Sequence, residues 1–324
     1  MAQQSLPVTR EDLLVRRAKL EKSLAVFTDD HQITSLIDEV DSALERMDAG
    51  TYGLCETCHE PIEDEYLAAD PLARFCIEHL STAEKDALTS DLLLASQIQA
   101  GLLPQQGLCA AGWETAYLYR PAKIVGGDYC DLLVHDGRLY FAVGDVSGKG
   151  VSAGLLMSHL HATFRALVAQ DLPLSEILFR ASRVFCESSL SERFATLACG
   201  IARDDGRVEF AIAGHTPVLV AGASGVQKIK ATGLPLGLFC EERFFTTGTS
   251  LAPGDTILLY TDGLTEAESP SGEEFGIDRL IDCINPGNIS SPQGTIDACV
   301  REMEGFRKSR KQSDDLTILA LRKV

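Results

Sequence analysis

Four aspartates, each at the end of a run that reads as a β-strand, constrain this chain more than any other feature. They are Asp128 in Val125-Gly-Gly-Asp128, Asp145 in Gly144-Asp-Val-Ser-Gly-Lys-Gly150, Asp262 in Tyr260-Thr-Asp-Gly263 and Asp314 in Ser313-Asp-Asp-Leu-Thr317. A carboxylate at a strand end sits on the rim of a sheet, where side chains from remote segments meet. Four anions gathered at one point repel, so a fold that gathers them must also gather cations. Hard divalent ions with oxygen ligands, Mg²⁺ or Mn²⁺, suit such a set. Two of them, roughly 3.5–4 Å apart, activate a water for phosphoester hydrolysis.

The pattern between these aspartates predicts an α+β fold. Residues 113–120, 127–134 and 138–146 read as strands, with Asp136-Gly137 as a hairpin turn. Residues 150–169 and 174–188 read as helices. Strands are expected again at 194–202, 208–213, 217–221, 227–231, 244–249, 256–260 and 316–321, with helices near 276–283 and 296–306. Strand clusters with helix pairs between them fit two antiparallel sheets covered by helices. Gly126 and Gly127 let the backbone come close at the site, where a Cβ would crowd a phosphate. The run Gly144 to Gly150 fails as a nucleotide-binding phosphate loop, because that loop needs four residues before Gly-Lys and then Ser or Thr.

The first eighty residues have a different grammar. Leu13, Leu20, Leu24 and Phe27 share one helical stripe, interrupted by Arg17, and Ile33, Ile37, Val40, Leu44 and Met47 form a second. The two stripes face each other across a turn at 28–31, which predicts an antiparallel helical hairpin. Cys55-x-x-Cys58, seventeen residues, and Cys76-x-x-His79 then read as a closed tetrahedral structural Zn²⁺ site. His59 is a rival ligand but is adjacent to Cys58. A c-type haem attachment at Cys55 to His59 would leave Cys76 and His79 without a role. Residues 86–103 read as a connector helix stopped by Pro104, and its broad apolar face must pack either on this chain or on a second copy. The expected domains are therefore 1–80, 81–104 and 105–324.

Composition narrows the partners. The chain of 324 residues carries 47 acidic and 29 basic residues, a net charge of -18. That balance excludes nucleic acid as a direct ligand, since phosphate backbones need clustered Lys and Arg, and disfavours anionic membranes. Residues 1–12 are polar, without the apolar core of an export signal, and no apolar run approaches a membrane span. The remaining seven cysteines are scattered, mostly through apolar runs, and read as buried free thiols in a reducing cytoplasm.

Two resemblances follow. Tyr52-Gly-x-Cys55-x-x-Cys58 through Ile62, Leu67, Pro71 and Cys76 is similar to the zinc finger of the DksA/TraR family, with His79 where a cysteine is usual and His59 where glycine is usual. That family acts on RNA polymerase and carries acidic residues at its hairpin tip, where Asp29 and Asp30 stand here. It supplies the alternative reading, a polymerase-binding regulator with a phosphatase-like scaffold.

The motifs Leu93-x-Ala-x-x-Ile-Gln-x-x-Leu-Leu-Pro104, Pro121-Ala-x-x-Val-Gly-Gly-Asp-Tyr129, Gly144 to Gly150, Ala213-Gly-His215, Pro235-Leu-Gly237, Tyr260 to Ala267 and Ser313 to Thr317 resemble the metal-dependent PPM protein phosphatases of the SpoIIE/RsbU subgroup. The resemblance implies an α-β-β-α sandwich that hydrolyses phosphoserine or phosphothreonine on a protein, often a phosphorylated anti-sigma factor antagonist. It implies that Asp145 bridges two Mn²⁺ or Mg²⁺ ions, that Val146 ligates through its carbonyl, and that Asp128, Asp262 and Asp314 complete the shells. Asp315 is less suited to direct ligation, Gly127 borders the substrate, and Lys123 is a candidate phosphate contact.

Overall fold

Opposite charges and matched apolar stripes hold the first two helices together. The computed structural model describes residues 8–26, 30–188, 193–284 and 291–324. Helices α1 (Arg10–Val26) and α2 (His31–Asp48) run antiparallel, with Arg10 on Asp48 and Arg17 on Asp41 at 2.6 Å. Arg17, the residue that interrupts the apolar stripe, is thus used as a cross-helix pair. Leu13, Val40, Ala43 and Leu44 are buried in one cluster with Tyr52, Cys55, Ile62, Leu67 and Cys76, so hairpin and finger share a core. Phe27 and Asp29, with the first half of the expected turn, lie outside the described residues. Asp30 caps α2, its Oδ1 accepting the N–H groups of Gln32 and Ile33. A short α3 (Asp64–Ala69) and a 3₁₀ turn at Ile77–His79 complete the finger.

The chain divides into units Met1–Asp91 and Leu92–Val324, and α4 (Thr82–Leu102) runs across that division. It starts earlier than the periodicity suggests because Ser81 and Glu84 form a reciprocal capping box.

In the second unit the strands are β1 (Cys109–Ala110), β2 (Trp113–Arg120), β3 (Asp128–His135) and β4 (Arg138–Val146), followed by α5 (Val151–Val168) and α6 (Leu174–Ser188). Then come β5 (Ala195–Ala202), β6 (Arg207–Ala213), β7 (Val218–Gly222), β8 (Gly225–Ile229), β9 (Thr247–Ser250) and β10 (Thr256–Tyr260). Helices α7 (Asp262–Thr265), α8 (Gly276–Cys283) and α9 (Pro292–Arg307) precede β11 (Leu316–Lys323). They build two antiparallel sheets, ordered β1-β2-β11-β10-β7-β8 and β3-β4-β5-β6-β9.

The alternation along each strand fixes the layers. On β4, Leu139, Phe141 and Val143 point between the sheets, where they meet Ile257, Leu259, Leu319 and Leu321. Tyr140 and Ala142 point the other way, onto Met157, Phe164 and Phe185 of α5 and α6. Leu258, Ile318 and Ala320 face Leu280, Ile296 and Met303 of α8 and α9. The result is the expected α-β-β-α sandwich, preceded in the chain by a helical hairpin and finger. Asp136 and Gly137 both have positive φ, 49° and 67°, as a type I′ hairpin turn requires.

Three expectations need correction. The strands expected at 227–231 and 244–249 lie at Gly225–Ile229 and Thr247–Ser250. The intervening segment has exposed apolar residues, Leu234, Leu238, Phe239 and Phe245, with no strand period. The scattered cysteines are not all free: Cys186 and Cys240 form a disulfide, their Cα atoms 5.9 Å apart across 54 residues. Finally, Cys109 is exposed rather than buried.

Candidate active site

The register of β3 on β4 places Asp128 directly opposite Asp145. The pairing of β10 with β11 ends at Tyr260 and Ile318, so Asp262, just past β10, and Asp314, just before β11, lie at one end of the other sheet. The two sheets meet here through threonines. Asp128 Oδ2 accepts hydrogen bonds from Thr261 Oγ1 at 2.9 Å and Thr317 Oγ1 at 2.6 Å. The Thr317 amide in turn donates to Thr261 Oγ1 at 2.9 Å. Asp128 is buried, and burial pushes its carboxyl well above the usual range, the Thr317 hydroxyl opposing and Asp145 and Asp315 adding to the rise.

The rim carboxylates feel one another. Burial first, then the charges of Asp262, Asp314 and Asp315, raises Asp145 to about 7, while Lys149 opposes the rise. Asp262 is raised by burial and then by Asp314, again with Lys149 opposing. Lys149 Nζ is 2.8 Å from Asp314 Oδ2 and 3.0 Å from the Ser313 carbonyl. The loop that carries it turns through Gly148 and Gly150, at φ 102° and 79°. Arg193 donates to the Ser147 carbonyl of the same loop at 2.9 Å.

Asp315 has a different task from its neighbour. Its two oxygens accept the amides of Ala122 at 2.7 Å and Gly127 at 2.6 Å, which fastens the 121–127 loop to the start of β11. From the other side Gln99 of α4 brackets Gly126, donating from Nε2 to its carbonyl at 2.7 Å and accepting its amide at 3.0 Å. The close approach expected at the glycines is present: a Cβ on Gly127 would come within 2.9 Å of the Val146 carbonyl, and one on Gly126 within 2.7 Å of Asp315. Lys123 stands exposed on this loop, its Cδ 4.0 Å from the Cβ position of Gly150.

Behind β3, buried Asp131 takes Arg165 of α5 in two bonds of 2.8 and 2.7 Å, and the Tyr129 hydroxyl at 3.0 Å. The pairing spans 34 positions, and nothing in the local sequence signals it. His215 is buried with Nδ1 2.8 Å from Thr196 Oγ1, and burial holds its pKa down to about 4. It is neutral at pH 7, so it is not poised to act as an acid. The other residues missed from sequence, Gln99, Lys149, Thr261 and Thr317, all lie inside the quoted motifs, which was the available signal.

The finger presents a compact ligand set. Among the described residues, Cys55, Cys58, Cys76 and His79 offer ligand atoms all within 4.8 Å of one another. Cys58 and Cys76 Sγ are 3.9 Å apart and His79 Nδ1 is 3.1 Å from Cys76 Sγ. Burial opposes ionisation of the Cys55 thiol, but the amides of Cys58, Cys76 and Thr57 outweigh it and bring the pKa to about 6. Three thiols and one imidazole in this arrangement fit a tetrahedral ion. His59 lies outside the set, exposed and at φ 60°, the conformation in which glycine is favoured.

Known proteins match both halves. The Stage II sporulation protein E (SpoIIE) family model matches residues 135–324, more than half of the chain. The prokaryotic dksA/traR C4-type zinc finger matches residues 50–78. Protein IcfG of Synechocystis sp. is 27% identical over 255 residues, covering 69% of this chain and 40% of that protein. Phosphoserine phosphatase RsbU of Bacillus subtilis is 24% identical over 241 residues, covering 73% and 71%. The SiaA-PP2C domain of Pseudomonas aeruginosa superposes with a TM-score of 0.65 at 24% identity, covering 74% of this chain and 98% of that domain. The chain thus spans under half the length of IcfG. Among the described residues no helix is long and apolar enough to cross a membrane.

Proposed function

The chain belongs to the SpoIIE family of PPM-type phosphatase domains, and from that premise we propose that it is a metal-dependent protein phosphatase acting on phosphoserine or phosphothreonine. The observation that carries the reading is the convergence of Asp145, Asp262 and Asp314 from three segments on one rim, where the charges of Asp262 and Asp314 add to burial in raising the Asp145 carboxyl. An all-oxygen, anionic donor set of this kind fits hard divalent cations.

On this reading Asp145, the Val146 carbonyl, Asp262 and Asp314 would hold two Mn²⁺ or Mg²⁺ ions, with Asp128, whose Oδ2 accepts from Thr261 and Thr317, completing the set. The ions supply polarisation of a water and neutralisation of charge on the phosphoryl oxygens. Gly126 and Gly127 leave room for the phosphoryl group. Asp315 and Gln99 hold the loop that bears these glycines. The water's oxygen forms the new bond to phosphorus as the bond to the Ser or Thr oxygen breaks, giving inorganic phosphate and a protonated hydroxyl. Cys55, Cys58, Cys76 and His79 hold one structural Zn²⁺.

The relative RsbU is named a phosphoserine phosphatase, and the substrate assigned here is a phosphorylated regulatory protein of the anti-sigma factor antagonist type, acted on in the cytoplasm. The exposed Leu93, Leu94 and Ile98 of α4 are assigned to a second copy, for which a monomeric mass by light scattering would be the contrary result. The function is tested by Mn²⁺-dependent release of phosphate from a phosphoserine protein, with Asp262→Ala as control. Loss of turnover with unchanged folding is expected. Undiminished turnover in that variant, or none in the parent with any divalent ion, rejects the mechanism.

A further inference from the structure

Lys149 is the cation set among the rim carboxylates. Its ammonium donates to Asp314 Oδ2 at 2.8 Å and to the Ser313 carbonyl at 3.0 Å. It is half-exposed, with 45% of the side chain accessible, so it is not locked in a core. Gly148 and Gly150 flank it in left-handed backbone conformations, and Gly150 is also the residue beside which Lys123 lies. The lysine therefore stands at the mouth of the site, on the loop joining the Asp145 strand to α5.

We propose that Lys149 is the substrate-positioning cation of this site: it rests on Asp314 while the carboxylates are ion-free, and it binds the phosphoryl group of the substrate once they are engaged. This rests on the phosphatase reading above. The physical argument is one of charge. An ammonium and a divalent ion compete for the same carboxylate oxygen, and the ion wins on charge density. The displaced ammonium then has a long flexible stem, and a phosphoryl dianion entering the site can replace Asp314 as its partner. A lysine at this position contributes as a point charge with three rotatable donors.

The experiment uses the full-length chain and two probes, Mn²⁺ alone and inorganic phosphate. Mn²⁺ is titrated calorimetrically into the ion-free protein and into Lys149→Met. Phosphate is then titrated into the Mg²⁺-saturated forms, with Lys149→Arg and Lys123→Met alongside. The expected result is that Lys149→Met binds Mn²⁺ at least as tightly as the parent, because an internal competitor has gone. Its affinity for phosphate falls about 10- to 100-fold, the worth of a charge-assisted hydrogen bond, and Lys149→Arg recovers most of it. Unmoved phosphate affinity in Lys149→Met, with hydrolysis by the parent intact, overturns the proposal alone. A fall in Mn²⁺ affinity would assign Lys149 to building the ion site and also overturn it. A ten-fold loss in Lys123→Met but not Lys149→Met would transfer the role to Lys123. A parent that neither binds phosphate nor hydrolyses phosphoserine removes the phosphatase reading, and this one with it.

Discussion

Replacing Asp145 by Asn should stabilise the ion-free protein, and the gain should depend on pH in a defined way. The Asp145 carboxyl rises from its ordinary 3.8 to about 7 in the fold. Between those values the native state keeps the proton and the unfolded chain has lost it, so unfolding releases a proton and stability falls as pH rises. Above about 7 both states are ionised and this contribution levels off. The span corresponds to about 4 kcal/mol at 1.36 kcal/mol for each tenfold change in proton affinity. Asn carries no charge, so the variant escapes this loss. Its advantage should vanish near pH 4 and approach about 4 kcal/mol by pH 8. The exposed carboxylates with depressed values, such as Asp12 and Glu84, have the opposite sign, their contribution being lost as pH falls below the ordinary 3.8 and 4.5, but parent and variant share them, so they cancel in the difference. The assay is urea unfolding in chelator, followed by fluorescence. The single tryptophan, Trp113, is buried between the sheets and so reports the second unit without interference from the finger. Saturating Mn²⁺ should shrink the variant's advantage at pH 8, since binding at 100 times Kd contributes about 2.7 kcal/mol to the parent. An Asn variant no more stable than the parent at pH 8 in chelator, or a difference that stays constant from pH 4 to pH 8, refutes the reasoning.

Three further outcomes are expected. Gly263→Ala should cost about 3 kcal/mol or more, or prevent folding, because the new Cβ would meet the Asp315 carbonyl, which is backbone and has little room to yield; urea midpoints measure it. Reduction of Cys186–Cys240 should expose two additional thiols to a colorimetric reagent and lower stability by about 2–4 kcal/mol for a loop of this size. His79→Ala should lose the finger's zinc, read by elemental analysis, while His79→Cys should retain it.

The parts of the fold visible in sequence are those where one periodicity acts alone. Along 138–146 every second residue enters the inter-sheet core, and the strand is read correctly to its ends. The stretch from Ile229 to Thr247 defeats the same logic. Leu234, Leu238, Phe239 and Phe245 are apolar yet exposed, so hydrophobicity there carries no information about burial, and β9 is placed three residues early. The Cys186–Cys240 pair was illegible for another reason: 54 residues separate the partners, and only the tertiary fold brings them close. At the site, residue types announced the chemistry, but not which neighbour serves which purpose. Asp314 and Asp315 are adjacent, yet one pairs with Lys149 and the other fastens two loop amides.

Asp128 shows most clearly why four similar motifs do not make four equivalent residues. Its carboxyl lies inside the sandwich, and Thr261 and Thr317 reach it from the opposite sheet. A buried carboxyl is costly unless its oxygens are satisfied, so the two sheets must close at this point for Asp128 to be tolerated at all. Once closed, the same contacts bring the ends of β10 and β11, and with them Asp262 and Asp314, to the end of β4 that carries Asp145. Asp262 and Asp314 lie outside those interior contacts, one just past β10 and the other salt-bridged to half-exposed Lys149, so removing either takes away charge from the site but leaves the contacts between the sheets. Removing Asp128 would take away the contact that sets the distance between them. The buried aspartate therefore fixes where the other three stand, whatever share it takes in holding an ion.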